Sequence, residues 1–125
     1  MKKIIATNKA PAAIGPYSQA IQLGNLLFCS GQIAIDPASG QVLTGDIKTQ
    51  TEHVMKNIEA VLAAADMNFS NVIKTTIFLT SMNDFATVNE IYGRHFPQNP
   101  PARSTVAVSA LPKGVNVEVE VIASK

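Results

Sequence analysis

Charge is scarce in this sequence. Charged residues make up 15% of the 125 residues, whereas apolar residues make up 46%, and an ordinary soluble domain has about 25% charged residues. So few charged side chains cannot cover the surface of a monomer. The cores of subunit interfaces, in contrast, are depleted of charged residues. We therefore expect part of the surface outside the core to be buried in a homo-oligomer.

Cysteine and histidine are also scarce. Cys29 is the only cysteine, so no disulfide can form within the chain, and we expect it to be a small core residue in an apolar strand. The two histidines, His53 and His95, lie far apart in the sequence, which excludes the ligand spacing of common zinc sites. The sequence therefore predicts no metal site, and we expect both histidines at the surface or its boundary.

Long basic and long apolar runs are absent. The net charge is +1, and no Lys/Arg run exceeds Lys2 and Lys3, so we expect no nucleic-acid partner, because such binding depends on neutralising phosphates. The apolar stretch that follows ends at Ala6, far short of a signal-peptide core or a membrane span. We expect a cytoplasmic protein with no membrane association, folded as a single domain over residues 1–125.

Turn residues and apolar periods predict an α+β domain. The Gly24-Asn25 pair predicts a tight turn between two strands. Asp46 and Asn83 are suited to cap two helices whose apolar residues follow helical spacing. We therefore expect the order β-β-β-α-β-α-β-β, with one face of the sheet packed on both helices. The first four predicted strands cover residues 4–5, 18–23, 26–35 and 72–79.

The last quarter of the chain predicts a β-hairpin that carries one arginine. Valines alternate with polar residues along both strands, which predicts a core face. The valines of that face are Val106, Val108, Val115, Val117, Val119 and Val121. Arg103 then shares the opposite face with Glu118 and Glu120. Arginine can bind a small carboxylate through two hydrogen bonds, and glutamate can orient a water. Taken alone, however, the pattern favours the ordinary outer face of a half-buried sheet.

Four separated motifs, in this order, extend the interpretation beyond the hairpin. They are Ala12-Ala13-Ile14-Gly15-Pro16-Tyr17-Ser18-Gln19-Ala20, Ser30-Gly31-Gln32-Ile33, Asn83-Asp84-Phe85 with Val88-Asn89, and Pro101-Ala102-Arg103-Ser104 with Leu111-Pro112-Lys113 and Val117-Glu118. Together they resemble the RidA (YjgF-type) family of enamine/imine deaminases, from about Ile4 to Ala123. The resemblance implies a chorismate-mutase-like α+β sandwich, with a mixed sheet packed on two helices. It also implies a homotrimer with active sites at subunit interfaces.

The resemblance implies a chemistry as well. Family members hydrolyse reactive 2-enamines and 2-imines, such as 2-aminoacrylate, to 2-oxo acids and ammonia, and they need no cofactor. We therefore expect 2-imino and 2-oxo acids as small-molecule partners. One alternative is a non-catalytic regulator that binds small carboxylates in the same pocket. Another is an endoribonuclease or translation inhibitor, because some family members have been described in this way. The net charge of +1 disfavours this alternative, since binding to nucleic acid depends on neutralising phosphates.

The resemblance also assigns roles to individual residues. It implies that Arg103 binds the substrate carboxylate, with help from the backbone N–H of Thr105, and that Glu118 positions or activates a water. Thr105 stands where many family members carry a cysteine, which excludes thiol chemistry there. Glu120 competes with Glu118 for the role at the water. The implied pocket residues are Tyr17, Ser30, Gly31 and Asn89.

Overall fold

One six-stranded sheet and two helices form the fold. The computed structural model describes all residues 1–125, and the predicted order β-β-β-α-β-α-β-β is confirmed. The elements are β1 (Lys3–Ile5), β2 (Ala20–Leu23), β3 (Leu26–Cys29), α1 (Ile47–Ala64), β4 (Val72–Leu79), α2 (Phe85–Gly93), β5 (Ala102–Ala107) and β6 (Val117–Ser124). Neither helix has the length and apolarity needed to cross a membrane.

The sheet is mixed, with the strand order β1-β2-β3-β6-β4-β5. β4 and β5 are parallel, and all other neighbouring strands are antiparallel. Parallel neighbours need a crossover connection, which α2 provides here. α2 begins at Phe85, after the short 3-10 turn Met82–Asp84. Asn83 therefore lies within that turn, where its N–H donates to the Ser81 side chain, and it does not cap α2 as predicted.

β5 and β6 do not form the predicted hairpin, because β4 lies between them. The prediction relied on a local signal, the alternation of valines along the two strands. Pairing in the sheet instead follows burial. β4 has buried residues such as Ile77 and Leu79 and gains most from a central position, whereas every residue of β5 except the half-buried Thr105 is exposed. The more polar β5 therefore forms an edge of the sheet.

The core lies between the helices and one face of the sheet. α1 begins after Asp46, whose side chain accepts a hydrogen bond from the Thr49 N–H at 2.7 Å, in agreement with its predicted capping role. Apolar residues at helical spacing direct one side of α1 toward the sheet. Burying each large apolar side chain stabilises the fold by about 1.5–3 kcal/mol. Fully buried members include Val54, Ile58, Leu62, Ile77, Leu79 and Val117.

Only part of the predicted valine face is in the core. The valines of residues 115–121 are all buried, as predicted. Val106 is 43% exposed. It is aligned with Phe78 of β4, and Phe78 points to the face opposite that of the buried Ile77 and Leu79. Val108, just beyond β5, is half-buried. The assumption that the two sets of valines share one face is therefore wrong.

The face of the sheet that points away from the helices, here named the open face, is uncovered within one chain. Four apolar residues lie in one row across it, since Ile21 is aligned with Ile4 and with Phe28, and Phe28 is aligned with Ile122. Ile4 is 63% exposed and Phe28 is 43% exposed. An apolar row of this kind is typical of a subunit interface.

Candidate active site

One group of the predicted site residues lines a cavity of about 460 Å³. Tyr17, Ser30, Gly31 and Glu118 all contribute to its wall, although they come from separate parts of the chain. We name this space the Glu118 cavity. Its remaining lining is largely apolar, with Pro11, Ala12, Ile14, Ile33, Ile35 and Pro112.

Gln19 holds the loop that forms one side of the Glu118 cavity. Its side chain is 4% exposed and bridges back across the loop. The amide oxygen accepts from the Thr7 N–H at 2.6 Å, and the amide nitrogen donates to the carbonyl oxygens of Thr7 at 3.0 Å and Pro11 at 2.7 Å. No local sequence pattern predicts this role, because the bonded residues lie 8 to 12 positions away along the chain.

Ser30 and Gly31 follow β3 and approach Glu118 closely. The Ser30 hydroxyl donates to the Ser18 carbonyl oxygen at 2.6 Å, which fixes the end of the strand. A β-carbon on Gly31 would overlap the Glu118 carboxylate and lie 2.9 Å from its Cδ atom. Glycine is therefore required for the present position of Glu118, which lies against the backbone of Gly31.

Glu118 is partly buried, and its carboxyl group is electrostatically unusual. Burial raises its pKa, and repulsion from Glu120 raises the pKa further. It takes part in no ion pair, because the one ion pair of the chain joins Arg94 to Glu90. A carboxyl group with a raised pKa can both accept and release a proton nearer neutral pH, as general acid–base chemistry requires. Glu120, in contrast, is exposed.

Arg103 lies in a second cleft, together with Asn89. Its Nη1 atom donates to Asn89 Oδ1 at 2.6 Å, and its Cζ atom is 5.1 Å from the centre of the Tyr92 ring and 5.7 Å from that of Phe85. The electron-rich faces of the two rings attract the cation. We name this space, of about 440 Å³, the Arg103 cleft.

The two aromatic rings beside Arg103, those of Phe85 and Tyr92, are not among the predicted site residues. The sequence does contain a signal for them. Phe85, Asn89 and Tyr92 are separated by four and three positions, which places them on one face of a helix. The Tyr92 hydroxyl hydrogen-bonds Thr75 Oγ1 at 2.7 Å, and burial raises the pKa of Tyr92, so the ring stays neutral beneath the cation.

Arg103 and Glu118 lie on opposite faces of the sheet, which corrects the prediction that they share one. In β4, Thr75 is aligned with Arg103, and Phe78 is aligned with Glu118. Residues three positions apart in a strand point to opposite faces. Arg103 therefore lies on the helix side, and Glu118 lies on the open face. The prediction placed β5 beside β6 and so aligned the two strands wrongly.

Thr105 lies on the same side of β5 as Arg103, aligned with Ile77. Its Oγ1 atom is buried and has no hydrogen-bond partner within the chain. A buried hydroxyl without a partner is costly and uncommon. The predicted role of Thr105 involves its backbone N–H and stays a prediction.

The remaining reactive side chains form no second site. Burial raises the pKa of the Cys29 thiol to about 12, so a nucleophilic thiolate is not populated near neutral pH. No group of three or more His, Cys, Asp or Glu side chains is arranged to hold a metal ion.

Comparison with known proteins places this architecture in a family. A family model described as Endoribonuclease L-PSP matches residues 7–125. The chain belongs to this family, the RidA family. "Protein DfrA" of Myxococcus xanthus is 55% identical over 124 residues, covering 98% of this chain and 95% of the relative. The RidA relative of Mus musculus named 2-iminobutanoate/2-iminopropanoate deaminase is 50% identical over 123 residues, covering 98% of this chain and 91% of the relative.

A solved structure extends the comparison to three dimensions. The crystal structure of E. coli TdcF with bound serine matches with a TM-score of 0.94 at 43% identity, covering 98% of both chains. The RidA resemblance identified from the four sequence motifs is thus confirmed. The mixed sheet packed on two helices, as that resemblance implied, is confirmed as well.

Proposed function

We propose that this protein is a deaminase that hydrolyses 2-imino acids, and 2-enamines such as 2-aminoacrylate, to 2-oxo acids and ammonia. The observation that carries the proposal is the Glu118 carboxyl group, which lies against Gly31 in a largely apolar cavity with its pKa raised. The name of the mouse relative, 2-iminobutanoate/2-iminopropanoate deaminase, supports the same reaction.

The geometry also supports a site that is shared between subunits. Arg103 and Glu118 lie on opposite faces of one chain, so a single copy cannot apply both residues to one small substrate. Arg103 is on an edge strand, and the open face beside Glu118 carries an uncovered apolar row. We propose a homotrimer in which Arg103 of one subunit completes the Glu118 cavity of the next. The number three comes from the family resemblance.

In the proposed reaction, Arg103 binds the substrate carboxylate through its planar guanidinium. A water adds through its oxygen to C2 of the imine, while Glu118 accepts a proton from that water and passes it to the imine nitrogen, which gives a neutral carbinolamine. As the C2–N bond breaks, the carbinolamine hydroxyl group gives its proton to Glu118 and becomes the carbonyl oxygen. Glu118 passes this proton to the leaving nitrogen, which departs as ammonia. Water is consumed, and no electrons are transferred to or from the substrate. Positioning and proton transfer are the contributions required of the protein, because an imine is already electrophilic.

A coupled assay tests the proposal. A serine dehydratase supplies 2-aminoacrylate at a fixed rate, and the release of pyruvate is followed with and without this protein. We expect faster pyruvate release, with the acceleration lost in Arg103→Ala. If the protein binds pyruvate in calorimetry but does not accelerate its release, the deaminase proposal is wrong and the non-catalytic regulator is favoured.

A further inference from the structure

Lys113 has a backbone conformation that its side chain does not favour. It lies in the short turn Pro112–Gly114 with φ 59° and ψ 21°, in the left-handed region. Two other non-glycine residues share a positive φ, Asp66 and Asn99. Aspartate and asparagine tolerate this region because their short polar side chains can hydrogen-bond locally. Lysine has no such compensation, so the backbone alone does not explain its presence.

The position of Lys113 offers an explanation. It lines the Glu118 cavity, and its side chain is exposed. The chain contains one ion pair, between Arg94 and Glu90, so the Lys113 ammonium group is not neutralised by any carboxylate of its own subunit. Among the residues that line this cavity, Lys113 is the only cation and Glu118 is the only anion.

An anionic substrate needs such a cation. A 2-imino acid carries a carboxylate, and Glu118 and Glu120 both repel it on approach, since both lie on the open face. A charge at the mouth of a low-dielectric cavity raises the local concentration of a ligand of opposite sign and speeds its association. Reactive imines also decay in water, so the rate of capture limits how much of the substrate the protein can intercept.

We propose that Lys113 captures the substrate: its ammonium group attracts the carboxylate of the incoming 2-imino acid to the Glu118 cavity before Arg103 binds it. This inference rests on the proposed deaminase function. It assigns to Lys113 a role in association and none in the chemical step. This role accounts for the use of lysine in a turn that suits glycine or asparagine.

Three variants separate charge from backbone strain. Lys113→Asn removes the charge and keeps a residue that tolerates the left-handed region. Lys113→Arg keeps the charge, and Lys56→Gln removes one charge from the exposed side of α1, away from the cavity. For each protein, kcat and kcat/KM are measured in the coupled assay at about 20 mM and about 500 mM salt, where exposed charges are weakly and strongly screened, respectively.

We expect Lys113→Asn to lower kcat/KM about threefold to tenfold at low salt with kcat unchanged, and the difference to disappear at high salt. Lys113→Arg and Lys56→Gln should match the wild type. An unchanged kcat/KM in Lys113→Asn at low salt would overturn the inference, as would a loss that is equal at both salt concentrations. A wild type without activity would overturn the deaminase proposal together with this one, whereas an active wild type with an unaffected Lys113→Asn variant would overturn the role of Lys113 alone.

Discussion

At the scale of single residues, the candidate site depends on how the fold surrounds the Glu118 carboxyl group and raises its pKa. This carboxyl group is held against Gly31, partly out of water and near Glu120. The sequence motifs identified Glu118 and Arg103 as the central residues. Periodicity could not place them correctly, because the face on which a side chain lies depends on which strand is its neighbour. Here β4, and not β6, lies beside β5.

Glu118→Gln should abolish most of the turnover. Glutamine keeps the shape of the side chain but cannot exchange a proton, so we expect the rate of 2-aminoacrylate hydrolysis to fall by about 10²-fold or more. The matched control is Glu120→Gln, which removes an exposed carboxylate from the same strand and should retain nearly full turnover. An inactive Glu120→Gln with a normal Glu118→Gln would show that the two roles are reversed.

The same substitution should stabilise the fold at neutral pH. Because the pKa of Glu118 is raised in the folded state, folded protein binds the proton more tightly than unfolded protein, and wild-type stability falls as pH rises through that interval. Glu118→Gln removes this loss. Its melting temperature should exceed that of the wild type at pH 7, and the two should converge at about pH 4, near the ordinary carboxyl pKa. A lower melting temperature at pH 7 would contradict this assignment.

Arg103→Lys should fail as an enzyme even though it keeps the charge. Lysine has no planar fork to bind a carboxylate in two hydrogen bonds, and such exchanges are not conservative at stacked sites. Loss of charge-assisted hydrogen bonds of about 1.5–3 kcal/mol predicts a fall in kcat/KM of about tenfold to a hundredfold. Arg94→Lys is the control, because Arg94 forms an exposed pair with Glu90. Normal activity in Arg103→Lys would exclude the bidentate role.

Gly31→Ala should separate activity from stability. The new methyl group would displace the flexible end of Glu118 and leave the strand in place, so we expect a loss of turnover of at least about tenfold with a cooperative thermal transition close to that of the wild type. Gly45→Ala, where an added β-carbon meets no atom within 4 Å, should leave activity unchanged. An active Gly31→Ala would show that the close approach of Gly31 and Glu118 has no functional role.

At the scale of elements, local signals predicted the order of helices and strands but not the pairing of β5. The valines of residues 115–121 lie on the core face as predicted, because alternation within a strand is a local property. Whether β5 pairs with β6 or with β4 depends on contacts between residues far apart in the sequence. The loop of residues 7–17 shows the same limit, since Gln19 fixes it through hydrogen bonds that no local pattern indicates.

Gln19→Glu should loosen that loop. A carboxylate cannot donate to the carbonyl oxygens of Thr7 and Pro11, which would then face a buried negative charge. We expect a loss of stability of about 1–3 kcal/mol and a raised KM, measured by chemical denaturation and by the coupled assay. Gln22→Glu is the control, because Gln22 makes a single long, exposed hydrogen bond at 3.4 Å. Equal effects of the two substitutions would rule out a specific role for Gln19.

At the scale of the whole molecule, Arg103 and Glu118, the two halves of the proposed site, lie on opposite faces of the sheet of one chain. The low charge content of 15% and the apolar row on the open face both favour self-association. Composition indicated association without indicating its geometry. The proposal that a second copy completes the site rests on the observed register, which separates Arg103 from Glu118.

Complementation between two inactive variants tests this shared site most directly. The Arg103→Ala and Glu118→Gln variants are co-expressed with different affinity tags. Assemblies that carry both tags are isolated by two successive affinity steps, and light scattering verifies a mass near three times 13.3 kDa. In a mixed trimer one of the three interfaces combines an intact Arg103 with an intact Glu118 of the neighbouring subunit, so we expect about one third of wild-type activity. Mixed trimers as inactive as either parent would contradict the shared site.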